Sequence, residues 1–256
     1  MNLELFFKRI GFQGNPSLTL ETLTAIQQAF LQAVPFENLD IHKGIKFNLT
    51  PESLFEKIVR QHRGGVCFES NGLLHDALTQ MGFSVDLLSA EMYPSEKLTG
   101  LNTHMALLVH LNDESYLVDV GNGRCFGDPL PIPGPSTSEG EGVTYKILPF
   151  NNTHLALFAL EKTPEAQWQP RYAFNTTPRT RQDFIEPSHY IETSPDSVFT
   201  QSNIVSMLTP EGRITLSQKH DDHKIFWSDA HSEKREISQK EYVLLLADRF
   251  KLTPSK

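Results

Sequence analysis

"RGGVCFESNG", Arg63 to Gly72, is the stretch on which the reading of this chain turns. Two glycines precede one of the chain's two cysteines, and a helical run follows. Gly64 and Gly65 let the backbone turn tightly and leave space beside Cys67. From about Cys67 to Met81, the residues Phe68, Leu74, Ala77, Leu78 and Met81 form one apolar side, and Gly82 supplies a C-cap. Cys67 is thereby placed at a helix N-terminus, against unpaired N–H groups and the positive end of the helix dipole. That position favours a thiolate, and the same N–H groups can stabilise an oxyanion during acyl transfer. Two readings are open at this point: an inert buried thiol, or a nucleophile.

Outward from this stretch, the first third of the chain reads as helical. Leu20, Leu23, Ile26, Phe30, Leu31 and Val34 make a helical stripe that Pro35 ends. Thr50 and Pro51 open a second helix with Leu54, Phe55, Ile58 and Val59 on its apolar face. After Gly82 the period changes. Phe83, Val85 and Leu87 alternate as in a strand. "HMALLVHL" and "SYLVDVG" are two further strand-like runs around the turn pair Asn112-Asp113. "PIPGPSTSEGEG", 131–142, is a loop by composition. Strand-like pieces at 204–208 and 214–216 flank "TPEG", and Ser238 with Glu241 forms a capping box for a last helix. Helices first, then antiparallel strands, then a mixed end make this an α+β chain.

With 256 residues, 39% hydrophobic and 21% charged, the chain can bury a substantial core as one large domain or a few small ones. A net charge of -8 and the lack of a basic run argue against nucleic-acid binding. Two cysteines are too few for a disulfide framework, which makes a reducing, cytoplasmic setting the expectation. "MNLELFFKRIGFQG" does not read as a signal peptide, and no apolar run reaches the ~18 residues of a membrane span.

A nucleophilic cysteine needs a base and an orienting group. If Asn112-Asp113 is a two-residue turn, residue 111 pairs with 114, and His104 faces Gly121. His104 and Asp119 then share a face as diagonal neighbours, within reach of a hydrogen bond. A one-residue slip would separate them. Asp119 also interrupts the apolar run "YLVDVG", and a buried carboxylate needs a partner. Taken singly, each has a plain reading, a satisfied core histidine or an aspartate at a strand end. "HDDH", 220–223, carries metal-ligand residue types but reads as a solvated turn. Cys125 reads as a bystander, and no metal is expected.

Seven segments, "RIGFQG", "VPFENLDI", "RGGVCFESNGLL", "THMALLV", "YLVDVGNG", "TPRTRQDF" and "TSPDSVF", together resemble the arylamine N-acetyltransferase family, in its order and across most of the chain. The resemblance implies a helical domain over 1–82 carrying the nucleophile, a β-barrel domain over 83–187 carrying the base and acid, and an α/β lid over 188–256. The core is expected to be like that of papain-type cysteine enzymes. Carried over, Cys67 is the nucleophile, His104 the base and Asp119 the residue that orients it. Acetyl passes from acetyl-CoA to Cys67 as a thioester, and an arylamine or hydrazine then attacks. O-acetylation of N-hydroxyarylamines, a role in xenobiotic metabolism, and a monomer or weak homo-oligomer belong to the same expectation.

By the same resemblance Thr99, Gly100, Leu101 and Asp196 contact CoA, and Phe36, Thr103 and Asn122 line the acceptor side. Arg63 pairs with Glu37 and braces the loop before Cys67. Two residues depart from the pattern: Asn122 stands where many relatives have Phe, which bears on acceptor choice, and Phe30 where His is frequent, which concerns packing. The segment ending at Lys256 reads as short for the family. The alternatives are an amide synthase using the same three residues on a thioester-bound substrate, a papain-type thiol hydrolase, and a binding protein that kept the fold.

Overall fold

The computed structural model describes residues 1–93, 98–124, 126–132, 143–161, 165–231 and 233–252, and the backbone of 137–140. Cys125 and parts of the 131–142 stretch lie outside the described residues. The chain opens with helix α1 (Leu3–Ile10), where Asn2 caps the Leu5 N–H and Gly11 closes the end at φ 74°. This helix went unnamed in the sequence reading. Helix α2 (Leu20–Ala33) follows, capped by Thr19 and ending before Pro35 as the stripe predicts. The helix that starts at Pro51 behind Thr50 is regular only to Leu54 (α3), then widens into a π-helical stretch over Phe55–Arg60. Leu54, Phe55, Ile58 and Val59 are buried as expected. Helix α4 (Cys67–Met81) has the predicted bounds, and Gly82 caps it at φ 102°.

Two antiparallel sheets complete the fold. Strands β2 (Ser84–Met92), β3 (His104–Leu111), β4 (Glu114–Val118), β5 (Leu130–Ile132), β6 (Thr137–Gly140), β7 (Val143–Pro149), β8 (Leu155–Glu161) and β9 (Gln169–Phe174) form an eight-stranded sheet in the order β5-β4-β3-β2-β9-β8-β7-β6. The loop predicted over 131–142 is therefore wrong in part. Residues 131–132 belong to β5, and 137–140 pair with β7 from Lys146 to Val143. Polar and glycine content hid an edge strand, where one side of the ladder faces no neighbour. Helices α5 (Ile185–Thr193) and α6 (Val198–Gln201) lead to the second sheet. There β10 (Ser202–Thr209) and β11 (Gly212–Lys219) form a hairpin with Thr209 opposite Gly212, so the turn falls in "TPEG" as read. Strands β12 (Ile225–Ser228) and β13 (Lys234–Glu236) extend it. Helix α7 (Gln239–Arg249) is capped by the Ser238 hydroxyl on the Glu241 N–H, but the Glu241 carboxylate goes to Arg235 at 2.5 Å rather than back to the cap. The expected reciprocal box is only half present.

Alternation along β3 explains how the layers meet. Met105, Leu107 and Val109 join the helical core with Phe68, Leu74 and Leu78, while Ala106 and Leu108 join the barrel core with Tyr145, Leu157 and Tyr172. Both faces are covered, so the strand reads as continuously apolar. A third cluster joins Val205, Leu216, Trp227, Tyr242 and Phe250 in the last segment.

Strand β1 (Phe36–Glu37) ties these parts together. Its two residues pair with Ser206 and Val205 of β10, and Phe36 also forms a parallel bridge with Gly65. The Glu37 N–H donates to the Gly65 carbonyl at 3.1 Å. That contact gives the glycines of the opening stretch a different reason from the one read in sequence. Neither has a positive φ. A Cβ on Gly64 would lie 1.9 Å from the Pro35 carbonyl oxygen, and one on Gly65 would lie 2.8 Å from Glu69. They make room for β1 and Glu69. Gly64→Ala should therefore destabilise the protein by several kcal/mol, at or beyond the ~1–3 kcal/mol usual for overpacking. Urea unfolding at equilibrium, with Gly44→Ala (no atom within 4 Å, but φ 69°) for comparison, measures that cost.

Candidate active site

Cys67 is the first residue of α4, and its N–H and that of Phe68 have no intrahelical acceptor by geometry. The side chain is 4% exposed, with Sγ 3.7 Å from the Thr103 carbonyl oxygen. The β3–β4 hairpin has the register that the Asn112-Asp113 turn requires, Leu111 opposite Glu114 and Leu107 opposite Val118. His104 and Asp119 consequently fall on one face at the strand ends, and His104 Nε2 lies 2.8 Å from Asp119 Oδ2. Both are buried, at 3% and 0% exposure. With Nε2 committed to Asp119, Nδ1 is left to meet the Cys67 sulfur.

Burial alone lowers the His104 pKa. The charge and hydrogen bond of Asp119 outweigh it, the Cys67 sulfur adds to them, and the pKa rises from 6.5 to about 10. The imidazole is therefore held in its protonated form at neutral pH.

Asn71, which the sequence reading missed, organises Asp119. Its Nδ2 donates to Asp119 Oδ1 at 2.9 Å and to the Met105 carbonyl at 2.6 Å, while its Oδ1 accepts the Val120 N–H at 3.0 Å. The Gly121 N–H gives Asp119 Oδ1 a further donor at 2.8 Å. The only sequence signal was spacing. Asn71 lies four residues after Cys67, on the same side of α4. Gly121 packs so closely that an added Cβ would lie 2.5 Å from Cys67 Cα and 2.8 Å from Asn71 Nδ2.

The expected brace is present and larger than read. Arg63 donates to Glu37 through Nε at 2.8 Å and pairs with Asp40 through Nη2 at 2.7 Å. Lys57 bridges Asp40 at 2.8 Å and Glu69 at 2.7 Å. Burial opposes charge in both Lys57 and Glu69. Desolvation lowers the Lys57 pKa, yet its three carboxylate neighbours leave it raised. Glu69 is buried so deeply that its carboxyl stays raised despite Lys57. Arg9, of the "RIGFQG" segment, donates to the carbonyls of Ile58, Ala33 and Arg63, and burial lowers its pKa to about 10.

The remaining candidates fall as follows. Phe36 is half-buried, with its ring 5.9 Å from that of Phe199 and next to Gly123. Asn122 lies between Gly121 and Gly123, half-buried, with Nδ2 buried and unpaired. Thr99 and Gly100 are held by the Glu91 carboxylate, which accepts both N–H groups and the Thr99 hydroxyl at 2.8–3.0 Å. Gly100 and Leu101 border a cleft of about 370 Å³ shared with Arg179, Pro187 and Tyr190. Asp196 is exposed on the turn between α5 and α6, where its N–H donates to Ser194, and it is not among the residues of that cleft. His220 and Asp221 of "HDDH" are exposed, and the His220 ring stacks on His42 at 4.0 Å. Among the described residues no group of three His, Cys, Asp or Glu side chains is placed to hold a metal, and no helix is long and apolar enough to cross a membrane.

Comparison with known proteins decides what this arrangement belongs to. A family model described as N-acetyltransferase matches residues 19–255. Arylamine N-acetyltransferase 2 of Mesocricetus auratus is 35% identical over 234 residues, covering 83% of this chain and 79% of the relative. The chain belongs to the arylamine N-acetyltransferase family. It is an acetyltransferase by that membership. Solved structures in the arylamine N-acetyltransferase family share its shape. The arylamine N-acetyltransferase of M. tuberculosis superposes with a TM-score of 0.86 at 29% identity, covering 98% of this chain and 93% of that one. The Mycobacterium marinum enzyme in complex with CoA gives 0.85 at 28% identity, covering 98% and 92%.

Two predictions follow from the geometry. Asn71→Ala removes a donor from Asp119 and the acceptor of Val120. It should cost roughly 3 kcal/mol of stability in thermal unfolding and about 10²-fold in kcat for acetyl transfer. For His104, a raised folded pKa means that its stabilising contribution is complete below about pH 6.5 and is lost as pH rises through about 10. The Tm gap between the native protein and His104→Gln should narrow across that interval.

Proposed function

We propose that this chain acetylates arylamines and hydrazines from acetyl-CoA through an acetyl-cysteine intermediate, with Cys67, His104 and Asp119 as the reacting set. The observation that carries the reading is the 2.8 Å His104–Asp119 bond beside a cysteine at a helix N-terminus. His104, protonated and charge-balanced by Asp119, stabilises the Cys67 thiolate as an ion pair, and Asn71 and Gly121 hold the Asp119 carboxylate in place. The thiolate attacks the acetyl carbonyl, the N–H groups of Cys67 and Phe68 receive the developing oxyanion, and CoA leaves with a proton from His104. An arylamine, neutral at pH 7, then attacks the thioester. His104 takes the proton that the amine loses, and the acetylated product departs. N-hydroxyarylamines would react at oxygen by the same steps.

We further propose that Thr99 and Gly100, whose backbone Glu91 fixes, and Leu101 contact CoA, together with Asp196 on the turn between α5 and α6. Phe36, Thr103 and Asn122 face the acceptor. We propose a division into segments 1–82, 83–187 and 188–256; the second core cluster lies wholly within 83–187, while the first runs from the helices into β3 and on to Ile191, and the third takes in Leu39. Similarity to the Mycobacterium marinum enzyme in complex with CoA supports CoA as a small-molecule partner.

Free CoA, released from acetyl-CoA in the presence of an aromatic amine and followed with a thiol reagent, tests the reaction. Release that requires the amine is expected. Cys67→Ala should abolish it, and turnover that survives this change would refute the mechanism. Asn122→Phe tests the acceptor side: kcat/KM for bulky apolar amines should rise relative to polar ones by about tenfold, the scale of one hydrophobic contact, with the acetyl-CoA half-reaction unchanged.

A further inference from the structure

Lys57 and Glu69 take no part in the chemistry described above, yet they are built into the turn that carries Cys67. Glu69 is the third residue of α4 and 2% exposed. Its Oε2 accepts the N–H of Val66, the residue immediately before Cys67, at 3.1 Å. Its Oε1 accepts from Lys57 Nζ at 2.7 Å, and Lys57 Nζ also holds Asp40 Oδ2 at 2.8 Å. Asp40 passes the connection to Arg63, and Arg63 to Glu37 of β1. One continuous set of ion pairs therefore runs from the strand bearing Phe36 to the backbone behind the nucleophile. A carboxylate this deep is costly unless paired. Gly65 has given up its side chain to admit it, since a Cβ there would lie 2.8 Å from Glu69 Oε2.

We propose that Lys57 and Glu69 are positioning residues for Cys67: the Lys57 ammonium pins the Glu69 carboxylate on the Val66 N–H, and this fixes the first turn of α4 and the direction of the thiol. The inference rests on Cys67 being the nucleophile. The backbone bonds of the turn converge on Val66. The Glu69 and Ser70 N–H groups both return to the Val66 carbonyl, so rotation of the Val66 peptide would release Cys67 together with the turn. The charged groups facing Glu69 are Lys57 from the π-helical stretch and Glu37 from β1, and those facing Lys57 are Glu37, Asp40 and Glu69. His104 faces Cys67 from the barrel side, with Asp119 bonded to its far ring nitrogen. A glutamine at 69 can accept the Val66 N–H without needing a cation, whereas an alanine cannot.

The test is the rate of Cys67 alkylation by iodoacetamide across pH, without acetyl-CoA, beside kcat and KM for acetyl transfer. Folding of each variant is checked by circular dichroism and Tm. Lys57→Met and Glu69→Ala should each slow alkylation and kcat by about tenfold or more with KM little changed, the scale at which a small misplacement of a reacting group costs rate. Glu69→Gln should stay near the native rates, and Lys57→Met/Glu69→Gln should recover most of what Lys57→Met loses. If Lys57→Met reacts at the native rate, or if the double variant recovers Tm but not the alkylation rate, the positioning role is wrong. Should Glu69→Ala fail to fold, the lysine variant and the double variant still decide. A different outcome separates failure of the underlying reading: acetyl transfer that persists in Cys67→Ala removes the nucleophile itself, whatever the other variants do.

Discussion

The structure depends first on one buried carboxylate. Asp119 has no exposure, and three donors converge on it: the His104 ring, the Asn71 amide and the Gly121 N–H. Hydrogen bonds to a charged group contribute about 1.5–3 kcal/mol each, enough to offset the cost of removing the carboxylate from water. The three donors come from different places. Asn71 belongs to α4, His104 to the start of β3, and Gly121 to the loop after β4. The bond set therefore docks the helical segment onto the barrel at the point where Cys67 meets His104.

A second constraint works from the opposite side. The ion pairs of Glu37, Asp40, Lys57, Arg63 and Glu69 occupy the angle between β1, the π-helical stretch and the beginning of α4. Three carboxylates meet two cations there, so the set is held by hydrogen-bond geometry and not by charge balance alone. Val66 and Cys67 lie between the two buried polar groups, with Lys57 and Glu69 behind and Asn71, Asp119 and His104 in front. The apolar core on either side excludes water and makes both sets stiff.

Much of this was legible in the chain. The bounds of α4 followed from apolar spacing and Gly82 because helix periodicity and an αL cap are local properties. The His104–Asp119 juxtaposition followed from a two-residue turn because strand register is counted outward from the turn. Other features were illegible for physical reasons. Asn71 looked like any polar helix residue, since nothing local says which loop will face it. The 137–140 edge strand was masked by glycine and polar residues, because an edge needs little apolar content. The need for glycine at 64 and 65 was legible, but the Pro35 carbonyl and the Glu69 side chain that approach them were not. A steric requirement names a residue type without naming what approaches it.

By itself, then, the sequence determined the α+β class, the helix that begins at Cys67, the hairpin register that brings His104 to Asp119, and the family to which the chain belongs. These rest on short-range rules: periodicity, caps, turn chemistry and ordered motifs. Only the tertiary structure decided that β1 joins the last sheet to the loop before Cys67, that Asn71 and Gly121 complete the Asp119 bond set, and that Lys57 meets Glu69 behind Val66. Each of these joins elements whose proximity depends on how three cores pack together, and no local pattern encodes that distance.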